Sequence, residues 1–160
     1  MDTIEKLLIS KGELDRIYVG ALKLYLWRSL HKTANTTNPL YPDFESRQIR
    51  IGVLRAPDVE IKPIGGLDHV IARLGQGTLL FDKPNAFGDA NWMYFEIPEG
   101  TEIPNGLIIT KDSYNSKFKA THYSISPNYT MPKLQFIKLL DKLAENAQAQ
   151  KRKLQYVKNR

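Results

Sequence analysis

The stretch "DSYNSKFKATHYSISP", Asp112 to Pro127, governs the reading of the fold. Its first end continues backwards into "LIITKDSY" and its second end is "THYSISP". Both are rich in β-branched and aromatic residues, and both read as extended. The polar "NSKFKA" lies between them, so the chain bends there and pairs the two strands. The same sixteen residues gather Asp112, Ser113, Tyr114, His122 and Tyr123, with Lys117 and Lys119 between the polar ends. A polar hairpin and one wall of an active site both fit this composition.

Extended runs also dominate the chain on the N-terminal side of this hairpin. "ALKLYLWRSL" places Leu22, Leu24, Leu26 and Leu30 on one parity, which argues for a strand with one face in the core. Leu, Ala and Lys are also good helix formers, so a helix stays open there. "HKTANTTNPLYPDF" is a proline-punctuated loop, and "RIGVLRAPDVEI" reads as short extended pieces broken at Pro57. "PIGGLDHVIARLG" reads as a glycine turn followed by a short helix over "LDHVIARL", with Asp68 in its first turn. "QGTLLFDKPN" and "NWMYFEIP" read as strands, and "IPEG" and "IPNG" as two β-turns with proline at the first corner.

Helices are expected at the two ends. "TIEKLLIS" opens behind Asp2 or Thr3 and stops near Gly12. The last helix is capped by Thr130, with Pro132 in its first turn. Phe136, Leu139, Leu140, Leu143 and Ala147 form its apolar stripe, and beyond Ala147 the stripe fades and the helix frays. The expectation is a single α+β domain over residues 1–160, an antiparallel β core with peripheral helices and an amphipathic C-terminal helix.

Composition excludes several chemistries. There is no cysteine, so thiol nucleophiles, zinc fingers and disulfide scaffolds drop out. His31, His69 and His122 lie far apart with no helical metal spacing, and no metal is expected. No phosphate-loop motif, dinucleotide fingerprint or serine-hydrolase elbow is present. The formal net charge of +6 is concentrated in "KRKLQYVKNR", which holds five Lys/Arg and no acid. That tail reads as a solvated face that complements the negative end of its helix. "MDTIEKLLIS" has no long apolar run, so neither a cleaved leader nor membrane insertion is expected.

Single residues carry paired readings. Arg28 is a strand-end arginine or one partly desolvated by the aromatics of "YLWRS". Arg55 in "RAPD" either pairs locally with Asp58 or offers a fork to phosphate or carboxylate. Thr78 either favours strand geometry or offers a hydroxyl where Gly77 lets a ligand approach. His122 is a hydrogen-bonded structural group or a ligand contact.

Taken together, the motifs from about Leu40 to Leu140 resemble the type VI secretion effector family called type six exported effector two, toxins grouped with the ADP-ribosyltransferases. The similarity rests on Asp112, Ser113, Tyr114 and Asn115, then Ala120, Thr121, His122, Tyr123, Ile125 and Pro127. "IPEGTEIPNGL", "RAPD", "GTLLFD" and "LYPDFES" follow the family frame in order. Thr78 is followed by Leu79, where the family has a second hydroxyl. Glu96, Glu99 and Glu102 stand in no motif that marks an acceptor-activating glutamate.

The resemblance implies an ADP-ribosyltransferase-like fold and NAD as substrate. It implies Arg55 on the phosphates with Arg28 as a second, Thr78 on the nicotinamide ribose, and Phe81 or Tyr114 as the aromatic wall. His122 would hold the ribose or orient the ring, with Asp82 and Asp112 fixing these groups. It further implies action in the cytoplasm of a target cell after leaderless export, and a small immunity protein as partner. Two other classes remain: a metal-free RNA-targeting toxin, supported by His122, its neighbouring lysines and the basic tail, and a non-enzymatic interaction module.

Overall fold

The structure is a computed structural model that describes residues 2–159. Leu107–Asn115 (β9) and Ala120–Pro127 (β10) form the expected antiparallel hairpin, with Ala120 opposite Asn115 and Pro127 opposite Leu107. Asn115 builds the bend by accepting from the backbone N–H of Lys117 and Phe118, and Lys119 takes a positive φ of 52°. Asp112 is committed within the hairpin, where it accepts from the hydroxyls of Thr110 and Ser124.

This hairpin sits in a six-stranded antiparallel sheet, ordered β1-β9-β10-β7-β2-β8. The remaining strands are Ile17–Tyr18 (β1), Leu26–His31 (β2), Thr78–Phe81 (β7) and Trp92–Ile97 (β8). Leu26, Leu80, Ile97, Ile109 and Ile125 point from this sheet into one buried cluster. The long helix Lys133–Lys158 (α2) closes that cluster with Phe136, Leu140, Leu143 and Ala147, all fully buried. Each such aliphatic or aromatic side chain contributes roughly 1.5–3 kcal/mol on burial. The short helix Ile4–Ser10 (α1) packs Ile4 and Leu8 against Ile108, and Thr3 caps it by accepting from Lys6 N–H. The α+β expectation holds.

Two smaller sheets flank the main one. Arg47–Arg50 (β3) and Val53–Arg55 (β4) form a separate hairpin. Glu60–Ile64 (β5), Leu67–Ile71 (β6) and Met131–Pro132 (β11) form the other sheet, in the order β11-β6-β5.

β6 corrects the expected helix over "LDHVIARL". Gly65 and Gly66 both take positive φ, 60° and 80°, the geometry of a two-residue hairpin turn that returns the chain along β5. Val70 is then fully buried between β5 and β11, and β-branched Val70 and Ile71 suit the pleat.

The start of α2 also differs from expectation. Thr130 does not cap it; its hydroxyl accepts from Ala72 N–H, and Pro132 occupies the N-cap position. The helix does not fray after Ala147. Gln150 donates to Glu99 O and Asn146 to Glu102 O, so polar contacts replace the apolar stripe. Of the basic tail, Arg160 lies outside the described residues, and Lys151, Arg152, Lys153 and Lys158 are exposed.

The turns after β8 form as expected but with proline one place earlier. Pro98 and Pro104 each supply the accepting carbonyl, and Gly100 and Gly106 take the positive-φ corner, at 90° and 104°.

Candidate active site

β2 and β7 meet at one residue pair only, Trp27 opposite Phe81, and then splay apart. Arg28 spans the gap. Its guanidinium donates to Leu79 O (3.3 Å), Pro39 O (3.1 Å) and Tyr41 O (3.2 Å). Burial pushes its pKa down, while the nearby carboxylates of Asp58 and Asp43 oppose the shift. Thr78, fully buried on β7, donates its hydroxyl to Leu40 O at 2.5 Å. Asp141 of α2 accepts from Tyr41 Oη (2.6 Å) and Asn38 Nδ2 (2.9 Å). The segment 38–41 is thereby stapled from the strand, the sheet interior and the helix.

This segment leads directly to Asp43, which sorts the cationic end of the site. Asp43 meets Arg55 at 3.2 Å and Arg47 at 3.5 Å, and Arg55 also meets Asp58 at 3.1 Å. Asp58 in turn accepts from Asp43 N–H at 2.6 Å. The local Arg55–Asp58 pair therefore exists, but the Arg55 guanidinium remains partly open to solvent (41%).

The splay opens into a cleft of about 700 Å³. Its lining includes Arg28, Arg47 and Arg55 together with Phe81, Phe87 and Trp92. Phe87 packs edge-on to Phe81 (5.3 Å) and beside Trp92 (4.7 Å). Tyr94 fixes the Phe87 loop: its hydroxyl accepts from Phe87 N–H and donates to Gly88 O. A second lobe of about 520 Å³ shares Arg28, Asp43 and Arg47 and adds Tyr41, Phe44 and Lys133. A further depression of about 570 Å³, between α1 and residues 72–74, holds no aromatic side chain.

The expected residues fall into three groups. Arg28, Arg55 and Phe81 line the cleft together. His122 does not line it but stacks edge-on against Phe81 at 4.5 Å, and its Nε2 is buried with no hydrogen-bond partner. Asp82 clamps β7 to β10, accepting from Thr121 N–H at 2.8 Å.

The third group stands away from the opening. Thr78 lies in the interior with its hydroxyl engaged, and Tyr114 is exposed on β9 outside the cleft lining. Gly77 does allow a close approach, but what approaches is the β10 backbone: a Cβ there would collide with Ile125 O.

Asp43, Phe87, Trp92 and Phe118 were not anticipated. Phe118, from the hairpin bend, packs on Phe87 at 4.7 Å. The available signal was an aromatic residue inside otherwise polar turns, in "NAFGD" and "NSKFK".

One cleft is thus lined by arginines gathered on Asp43 and by a contiguous aromatic cluster. Among the described residues no cluster of acids and histidines offers a metal site. The chain belongs to the Tse2 ADP-ribosyltransferase toxin family, whose sequence model matches residues 6–152. A curated relative is Toxin Tse2 of Pseudomonas aeruginosa, 34% identical over 132 residues that span 81% of this chain and 80% of its own length. The class is thus that of an ADP-ribosyltransferase toxin.

Proposed function

We infer that the chain binds NAD in the cleft between β2 and β7 and transfers its ADP-ribose to an acceptor inside a target cell. The carrying observation is the lining of the cleft, which combines two arginines gathered on Asp43, Arg47 and Arg55, with an aromatic cluster of Phe81, Phe87 and Trp92. NAD combines the matching groups, a pyrophosphate that pairs with guanidinium groups and a nicotinamide ring that packs on aromatic faces. The volume lies in the roughly 300–1,000 Å³ range of small-molecule sites. The second lobe, which shares Arg28, Asp43 and Arg47 with the first, gives the adenosine half a place beside Tyr41 and Phe44.

In the reaction the C–N bond between ribose and nicotinamide breaks, nicotinamide leaves with the bonding pair, and the sugar passes through an oxocarbenium-like state. An acceptor nucleophile then bonds to the same carbon and loses its proton. Arg55 holds the phosphates, and Phe81 with Phe87 and Trp92 forms the wall. His122, outside the cleft lining, packs edge-on against Phe81 and holds the ring of that wall in orientation. Arg28, Thr78, Asp82 and Asp141 act by holding these groups in place. A small immunity protein that covers the cleft would protect the producing cell, and the toxin acts in the cytoplasm of its target.

The test is release of nicotinamide from NAD by the purified chain in a target lysate. The reading expects release with the wild type and, with Trp92→Ala at the half-buried part of the wall, a loss of about tenfold or more, equivalent to roughly 1.4 kcal/mol of binding. Release that is absent with the wild type, or unchanged in the variant, contradicts it.

A further inference from the structure

We propose that the β3–β4 hairpin is the docking surface for the acceptor, and that the acceptor is a protein with an acidic surface around an apolar centre. This deepens, and rests on, the transferase reading of the cleft. The hairpin stands apart as its own two-stranded sheet. Away from the cleft, two of its apolar side chains face solvent: Leu54 is 72% exposed and Ile51 96%. A hairpin of two strands is marginal by itself, and uncovered aliphatic side chains contribute no burial energy toward holding it. Exposed apolar groups rimmed by polar ones mark interaction surfaces.

Charge indicates what kind of partner covers them. From Ser46 to Pro57 the chain carries Arg47, Arg50 and Arg55 and no acid. Arg47 and Arg55 share Asp43 and Arg55 also meets Asp58, whereas Arg50 makes no ion pair among the described residues. A surface that combines an unneutralised guanidinium with aliphatic anchors is complementary to an acidic protein patch. Single-stranded nucleic acid is held on aromatic stacking platforms, and the hairpin has no aromatic residue.

Position links the hairpin to chemistry. Its inner side chains Arg47, Gln48, Ile49 and Arg55 line the cleft, while Arg50, Ile51 and Leu54 do not. A protein seated on the tip is therefore held at the cleft mouth, and its nucleophile is presented to the ribose without a separate encounter.

The experiment uses isotope-labelled NAD in a target lysate, followed by protease or nuclease digestion. A parallel NAD titration and melting curve are run on each variant. Label should enter protease-sensitive material. Ile51→Ser/Leu54→Ser and, separately, Arg50→Glu should each lower that incorporation by about tenfold or more, and Arg50→Lys should stay within about twofold. NAD affinity and melting temperature should match the wild type in all three, because none of these side chains lines the cleft.

Undiminished labelling by the Ile51→Ser/Leu54→Ser variant overturns the proposal, as does label confined to nuclease-sensitive material. Either result leaves NAD binding intact. A wild-type chain that does not bind NAD instead removes the transferase reading on which the proposal rests.

Discussion

At the scale of single residues, neighbouring positions in one motif do different work. "GTLLF" contributes Phe81 to the cleft, Thr78 to the interior and Gly77 to a backbone crossing. Thr78→Val should leave Leu40 O without its donor and cost about 1–3 kcal/mol of stability, read as a lower denaturation midpoint. Thr78→Ser should restore most of it. A Val variant as stable as the wild type but unable to bind NAD would return Thr78 to the ligand. Gly77→Ala should destabilise by about 1–3 kcal/mol or more, because Ile125 O is backbone and cannot swing aside.

Motif order singled out Arg28, Arg55 and Phe81, which line the cleft, but not Arg47, Phe87 or Trp92, which line it too. Side-chain orientation was not legible. The partner that engages Thr78, Leu40 O, lies 38 residues away, and no local pattern encodes it.

At the scale of elements, the strands and the β9–β10 hairpin were legible because alternation and turn residues are local signals. β6 was not, because "LDHVIARL" suits a helix until Gly65 and Gly66 are seen to close a hairpin and β11 arrives from residue 131. The extent of α2 was hidden for the same reason: beyond Ala147 it is anchored by Gln150 on Glu99 O, not by an apolar stripe. Phe136→Ala, in the fully buried stripe, should cost about 3–5 kcal/mol, seen in denaturant unfolding.

The Tyr41–Asp141 bond makes a pH prediction. The hydrogen bond to Asp141, and then burial, raise the Tyr41 pKa above its ordinary 10.0. A raised folded-state value means the stability it supplies is complete below pH 10.0 and fades as pH rises through the folded value. Tyr41→Phe should therefore lower stability at neutral pH and make its decline on the alkaline side shallower. An alkaline limb that is unchanged in Tyr41→Phe would show that the bond to Asp141 contributes nothing.

At the scale of the whole molecule, the cleft is a product of topology. β2, β7, Asp43, the β3–β4 hairpin and the Phe87 loop are separated in sequence and line one opening. Motif order suggested membership of an NAD-using family, but only the splay of β2 from β7 shows that Arg55 and Phe81 line one space while Tyr114 does not.

Arg55 therefore gives the most direct test. Its ion pairs are partly exposed, so Arg55→Ala should cost the fold no more than about 1 kcal/mol. The decisive measurement is a calorimetric titration of the purified wild type and Arg55→Ala with NAD. The account predicts saturable one-to-one binding to the wild type, weakened about tenfold or more in an equally stable variant, as loss of a charge-assisted contact requires. No binding by the wild type, or equal affinity in both, would contradict it.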